Sequence, residues 1–222
     1  MRHGLLLAAA LVAPLPASAQ IDHEIIDAMV GPWTLLPTDG RPGCSIEFRR
    51  DRIGGAMRAL LGATCKLTIP AAARVTGWKL DDGDTLLVDT KGAVQIRFVE
   101  DETALLSSPD LIAPQYYLIP RVSGYDHLPQ ARELVGSWQI AQRGKHACQI
   151  TLGQVTQTPD GTTGPVKASP SCGAGSIPAR LTSWSREDLK IMLWGPNDLL
   201  LAFEPTGTTA YVADPGTWSL SR

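Results

Sequence analysis

The sequence predicts an all-β protein built from two tandem, small eight-stranded antiparallel β-barrels, each preceded by a short helix. Residues 29–35 (Met-Val-Gly-Pro-Trp-Thr-Leu) return as residues 134–140 (Leu-Val-Gly-Ser-Trp-Gln-Ile). Five landmarks (Gly, Trp, Cys, Cys, Trp) then recur in the same order, and the gaps between them change by no more than three residues. Between the landmarks, apolar residues alternate with a period of two and turn residues are frequent. These three observations indicate one β fold present twice.

Residues 1–19 have the features of a secretory signal peptide. A short apolar run at 5–15 follows Arg2, and Ala-Ser-Ala at 17–19 fits the small-x-small cleavage rule. A transmembrane helix is the alternative, but the run is shorter than the roughly 20 apolar residues that cross a bilayer. We therefore expect a periplasmic or secreted mature chain that begins at Gln20 and has no membrane span.

Loss of Arg2 leaves 19 basic against 22 acidic residues, a net charge of −3. This balance argues against a nucleic-acid partner, since such proteins carry basic patches. In an exported chain, four cysteines predict two disulfides. Three pairings are possible, and the repeat selects Cys44 with Cys65 and Cys148 with Cys172, one bridge per copy. A zinc site is the alternative, but the cysteines and histidines lack the usual ligand spacing.

The first copy is predicted to begin with a helix over 23–30 that is capped by Asp22 and ended by Gly31. Cys44, Ile46 and Phe48 then alternate with polar residues, as in a strand with one buried face. Asp82-Gly83 is a hairpin turn signal. Further strands are predicted over 57–69 (broken near 62), 74–79, 85–89, 94–99, 103–106 and 115–119.

The second copy is predicted to follow a linker at 121–127, with a helix over 130–135 and a polar loop over 157–164. Its strands are predicted over 137–141, 147–152, 166–168, 180–185, 189–194, 199–203, 209–212 and 218–221. Eight short strands with short connections most easily remove their edges by closing into a barrel. We therefore place the two domains at 20–121 and 122–222.

No motif in the chain indicates catalysis. A Gly-x-Ser-x-Gly elbow is absent, and the glycines lack phosphate-binding spacing. Asp81, Asp82 and Asp84 could weakly hold a cation, but a solvated turn is the commoner arrangement. We therefore predict a protein that is not an enzyme and has neither cofactor nor metal.

A signal peptide, a helix ending in Gly-x-Trp, a cysteine pair about 20 residues apart and a later Trp together resemble the bacterial inhibitors of secreted alkaline metalloproteases. The resemblance covers the chain twice and implies a periplasmic inhibitor whose partner is a serralysin-type zinc protease. In that family the barrel is a platform, and the residues ahead of the helix enter the protease cleft with the amino terminus near the catalytic zinc. The corresponding residues here are Gln20, Ile21, Asp22, His23 and Glu24.

Two other functions remain compatible with the sequence. A lipocalin-like carrier would need a hollow barrel with an apolar cavity of several hundred cubic ångströms. A non-inhibitory interaction module of the cell envelope would need only an exposed binding surface.

Overall fold

The computed structural model of the chain describes residues 17–109, 114–158, 161–213 and 217–222. They form two closed antiparallel β-barrels, as predicted. The signal peptide prediction lies mostly outside the described residues. Within them, no helix has the length and apolar character that crossing a membrane requires.

The first barrel follows helix α1 (Ala17–Met29) and is a simple up-and-down meander. Each strand pairs with the next one along the chain, and the last pairs with the first, which closes the ring. Closure leaves no free strand edge. The strands are β1 (Gly31–Pro37), β2 (Cys44–Ile53), β3 (Ala56–Leu61), β4 (Gly77–Asp81), β5 (Asp84–Val88), β6 (Val94–Glu100), β7 (Leu106–Ser107) and β8 (Tyr116–Pro120). Helix α2 (Cys65–Thr68) and a 3-10 turn at Pro70–Ala72 connect β3 to β4.

The second barrel repeats this order after helix α3 (Ala131–Leu134), with one addition. Its strands are β9 (Gly136–Gln142), β10 (Cys148–Leu152), β11 (Thr156–Thr158), β12 (Gly161–Ala168), β13 (Ser183–Glu187), β14 (Lys190–Trp194), β15 (Leu200–Gly207), β16 (Ala210–Ala213) and β17 (Trp218–Ser221). Strand β10 pairs directly with β12, so eight strands close the ring and β11 forms a hairpin arm on β12. A 3-10 turn at Pro170–Cys172 and helix α4 (Ile177–Arg180) connect β12 to β13.

Large side chains fill both barrels. In the first barrel Trp78 stacks on Phe48 with ring centroids 4.8 Å apart, and both are fully buried. In the second barrel Trp138 meets Tyr211 edge to face at 5.8 Å, and Trp184 is buried in the same core cluster. Such packing leaves no room for the hollow interior of a lipocalin-like carrier.

The repeated Gly-x-Trp motif has the same geometry in both copies. Gly31 and Gly136 have φ angles of +134° and +128°, a region that side chains disfavour. Two residues later, the indole N–H of Trp33 donates to the carbonyl of Met29 at 2.6 Å, and that of Trp138 donates to Leu134 at 2.8 Å. The motif therefore turns the chain from helix to strand and fixes the helix end with a hydrogen bond.

Both predicted disulfides are confirmed. Cys44–Cys65 joins β2 to α2, and Cys148–Cys172 joins β10 to the 3-10 turn. Each bridge holds the connection between two barrel segments and closes a loop whose entropy in the unfolded chain is worth about 3 kcal/mol.

Three element predictions are wrong in detail. Helix α1 begins at Ala17, so Asp22 lies inside it and is no cap; the alanines ahead of Asp22 favour continuation of the helix. The strand predicted over 57–69 ends at Leu61, and Cys65–Thr68 is helical because the disulfide and Pro70 compact this segment. The loop predicted over 157–164 belongs to the β11–β12 hairpin, where its β-branched threonines fit a strand.

The two barrels pack against each other through a separate apolar cluster. Leu36, Tyr117 and Ile119, here called the docking strip, face outward from β1 and β8 and are buried. The cluster that covers them includes Tyr125 of the predicted linker and Leu128 directly after it, with Leu189 at the turn between β13 and β14. The linker is therefore part of a packed interface.

Candidate functional site

The predicted protease-contacting residues, Gln20–Glu24, lie in the first half of α1. His23 and Glu24 are exposed, and Ile25, which follows them, is 40 % exposed. The side chains of residues 17–22 are outside the description. His23 and Glu24 therefore face solvent, and they precede Ile26, the first residue of α1 that packs on the barrel core.

The second half of α1 is fixed to the first barrel. Met29 is buried in the barrel core, and Ile26 packs against the same cluster one turn earlier. Asp27, on the exposed side of the helix, forms an ion pair with Arg50 of β2. With the Trp33 hydrogen bond to Met29, these contacts set the direction in which the leading residues leave the barrel.

A groove of about 540 Å³ runs beside α1. Ile25 and Ile26 form one wall, and the tips of the β2–β3 and β4–β5 hairpins form the other, with Arg52, Lys79 and Met57 among the lining residues. The groove combines apolar and charged surface next to the exposed part of α1. It could accept part of a partner that engages this segment.

The aspartates of the β4–β5 hairpin do not converge on a cation. Asp81 pairs with Lys79 at 3.4 Å, and Asp84 pairs with Arg97. Asp82 occupies a left-handed turn position with φ +52°. Among the residues that the structure describes, no group of three or more His, Cys, Asp or Glu side chains could hold a metal ion. The arrangement is that of a charged turn.

The corresponding segment ahead of α3, residues 125–130, is here called the second pre-helix segment. It is bound to the first barrel. Leu128 is buried, the amide of Gly43 donates to the carbonyl of Asp126 at 2.7 Å, and the side chain of Gln130 donates to the carbonyl of Thr38 at 3.3 Å. This segment cannot project into solvent as the first half of α1 does.

His127 lies between two carboxylates in the second pre-helix segment. Its Nδ1 is 2.9 Å from Asp126 Oδ1, and its Nε2 is 3.0 Å from Glu133 Oε2. The hydrogen bond to Asp126, helped by that to Glu133, raises the pKa of His127 above its ordinary value, against the opposing effect of partial burial. Protonation of His127 therefore strengthens its hydrogen bonds to Asp126 within the segment and to Glu133 of α3.

Sequence reasoning missed the docking strip, although a signal was present. Residues 35–36 and 116–119 are uninterrupted apolar runs, whereas a strand with one buried face should alternate. An apolar run in a barrel strand indicates that both faces are covered. Here the second face is covered by the linker and the second barrel.

Comparison with protein-family models gives one match, over residues 25–108, to the family described as protease inhibitor Inh. The matched segment begins in α1 directly after Glu24 and ends after β7, so it lies within the first helix and barrel. The match does not extend to the second barrel. A search of curated proteins finds no match to the chain.

Proposed function

We propose that this chain is a proteinaceous protease inhibitor and not an enzyme, because residues 25–108 match the family described as protease inhibitor Inh. The target is an exported zinc metalloprotease of the serralysin type. The mature amino-terminal residues Gln20–Glu24 enter the protease cleft, while the first barrel serves as the rigid body that carries them.

The observation that carries the proposal is the division of α1 into a fixed half and an exposed half. Ile26 and Met29 bind the barrel, whereas His23, Glu24 and Ile25 face solvent. A tail that is anchored at one end loses less conformational entropy on docking than a free peptide. An anchored, exposed tail is what insertion into a cleft requires.

Two groups of the tail could bind the catalytic zinc in place of its water. One is the amine of Gln20 after signal cleavage, and the other is the imidazole of His23. An amino-terminal glutamine can cyclise, which removes the basic amine, whereas His23 keeps its ring nitrogen in either form. Cleavage ahead of Gln20 also leaves the first helical turn without upstream residues, so the tail can unwind toward the metal.

Export supports the same target class. The signal peptide features at 1–19 and the two disulfides fit a periplasmic or secreted protein, because disulfides persist in oxidising compartments. A protease inhibitor there meets exported proteases.

The deciding experiment compares the mature chain with a variant that begins at Ile25, assayed against a serralysin-type protease. We expect the truncation to weaken inhibition by at least about a hundredfold, the scale of losing a metal ligand and its hydrogen-bonded neighbours. Circular dichroism and the thermal midpoint should stay unchanged, because the anchoring residues Ile26 and Met29 remain. Equal potency of the two proteins would contradict the tail mechanism.

Two point variants separate the zinc ligands. Gln20→Ser prevents cyclisation and should strengthen inhibition if the amine binds the metal. His23→Ala should weaken inhibition if the imidazole binds it, and His146→Ala, an exposed histidine of the second barrel, is the matched control. If neither Gln20→Ser nor His23→Ala changes potency, the tail does not act through the zinc.

A further inference from the structure

An exposed tryptophan lies among hydroxyl groups on the outer face of the second barrel. Trp194, at the end of β14, is 36 % exposed. It borders a shallow groove of about 470 Å³. The lining residues used below are Trp194, Thr162, Thr163, Ser183, Ser185 and Glu187. Apart from the indole, these side chains are hydroxyls and one carboxylate; Gly161 and Arg186 complete the lining.

The indole of Trp194 is held in place by a hydrogen bond. Its N–H donates to the hydroxyl of Ser185 at 3.2 Å, on the neighbouring strand β13. Trp194 pairs across the strands with Ser183, and Ser185 pairs with Met192, so this bond runs diagonally across the sheet. Met192 and Ser185 are only 8 % and 7 % exposed, as expected for positions under a ring that lies along the sheet.

The hydroxyl of Ser185 continues the chain of hydrogen bonds. It accepts from Trp194 and donates to Glu187 Oε1 at 3.1 Å. The indole can only donate and the carboxylate can only accept, so the direction of both hydrogen bonds is fixed. The second carboxylate oxygen of Glu187 and the hydroxyls of Ser183 and Thr163 remain as hydrogen-bonding groups around the ring.

A flat aromatic face surrounded by hydroxyls and a carboxylate complements one class of ligand. A sugar ring has an apolar C–H face that stacks on an indole and a rim of hydroxyls that hydrogen-bond to such groups. A protein partner would instead need a larger contiguous apolar patch. Arg186 also lines the groove, but its guanidinium donates to the carbonyl of Pro129 at 3.4 Å, so the carboxylate of Glu187 is the charge joined to the indole by hydrogen bonds, and it disfavours acidic sugars. We propose that this face of the second barrel binds a neutral saccharide.

The first barrel has no such site at the equivalent positions. Val88 occupies the place of Trp194 in the strand pairing, opposite Gly77 instead of Ser183. Val88 is fully buried in a small apolar cluster with Ala56 and Leu86. The saccharide site is therefore a property of the second copy, and it is independent of the inhibition proposed for the first.

The test is a titration of the mature, ¹⁵N-labelled protein with two neutral probes, tri-N-acetylchitotriose and maltotriose. The Trp194 indole N–H signal is identified by its loss in Trp194→Phe. We expect this signal to shift and saturate with at least one probe, and the comparison of probes tells whether the N-acetyl group is required. Trp194→Ala should lower affinity by about tenfold, the effect of losing one aromatic stack.

Two further variants guard against a folding artefact. Val212→Ala changes another exposed apolar residue of the same barrel, on β16, and should leave affinity within about twofold of the original. Ser185→Ala keeps the indole but removes its acceptor, and should weaken binding while circular dichroism stays unchanged. The proposal is overturned if neither probe shifts the Trp194 signal, or if Trp194→Ala leaves the affinity unaltered. If the protease shifts the Trp194 signal and neither saccharide does, this face is a protein interface. That result would also overturn the saccharide proposal.

Discussion

The two helices that precede the barrels have opposite surroundings. The first half of α1 is exposed at His23 and Glu24, and only its second half binds a barrel. The segment ahead of α3 is held by the first barrel through Leu128, Asp126 and Gln130. The same position in the repeat is thus an exposed helical segment in one copy and a segment packed on the first barrel in the other. The tail mechanism proposed above is therefore open to the first copy and not to the second.

The outer surfaces formed by the first and last strands also differ between the two barrels. The docking strip of Leu36, Tyr117 and Ile119 corresponds, by the pairing of the first and last strands, to Ala141, Ser219 and Ser221 in the second barrel. The first set is apolar and buried, whereas Ser219 is exposed. The first copy therefore provides the apolar docking strip, and the second pre-helix segment and Leu189 of the second barrel cover it.

The largest effect is expected from the core tryptophans. Trp78→Ala and Trp184→Ala should each destabilise its own barrel by about 3–5 kcal/mol, because both indoles are fully buried and donate to the carbonyls of Arg49 and Gly153. Urea unfolding measures this. Trp78→Ala should also weaken protease inhibition strongly, whereas folded Trp184→Ala protein should inhibit nearly as before. Equal loss of inhibition in both would show that the second barrel is required.

The next effect concerns the interface between the barrels. Leu189→Asp places a charge in the cluster around the docking strip and should cost about 2 kcal/mol. The barrels should then separate, which small-angle scattering would detect as a larger radius of gyration. Leu200→Asp, at a residue 41 % exposed on the second barrel, is the control. An unchanged scattering profile for Leu189→Asp would contradict this account of the packing.

A smaller effect is expected at Arg222, which has a role in the second barrel only. Its guanidinium lies 4.5 Å from the ring centroid of Trp138 and donates to the carbonyls of Leu134 and Val135. Arg222→Ala should lower the stability of the second barrel by about 1–2 kcal/mol. Arg132→Ala, on the exposed side of α3, should leave the thermal midpoint unchanged. A similar loss in both variants would mean that charge alone, and not the contact with Trp138, matters.

The smallest effect is a pH dependence of stability that arises at His127 in the second pre-helix segment. Since the pKa of His127 is raised in the folded chain, its stabilising contribution is complete below the unfolded value of 6.5 and is lost as pH rises through the folded pKa. The charged groups in contact with His127 are Asp126 and Glu133, and the Asp39–Arg41 pair lies on the loop whose Pro42 forms a β-bridge with His127. We expect less than about 1 kcal/mol for this partly exposed group. When thermal midpoints are measured against pH, His127→Gln should not show this loss of stability. An identical pH profile for the original protein and the variant would contradict the prediction.

The barrel architecture was predictable because it depends on local patterns. Alternation around Cys44, the turn at Asp82-Gly83 and the repeated Gly-x-Trp each specify short-range geometry. The disulfide pairing followed from the repeat, because each bridge stays within one copy. The hairpin at Thr156–Thr163 was missed because polar, β-branched residues resemble a loop in composition but a strand in conformation.

The candidate site was less predictable because it depends on contacts between distant residues. The sequence identified His23 and Glu24, but their exposure depends on which side of α1 meets the barrel. The burial of Leu128 and the bond from Gly43 to Asp126 join segments about 80 residues apart, which no local pattern encodes. The hydrogen bond from Trp194 to Ser185 likewise needs the register of two strands.

The one-sided placement of the docking strip also limits how copies of the molecule can associate. A head-to-tail contact that recurs on every unit grows into a fibre, because nothing closes it. Here the strip is replaced by Ala141, Ser219 and Ser221 in the second copy, and Gly83 stands in the first copy where Leu189 stands in the second. Each half of this contact therefore exists once per chain and is already used within it, so this contact cannot link one chain to the next in an open series.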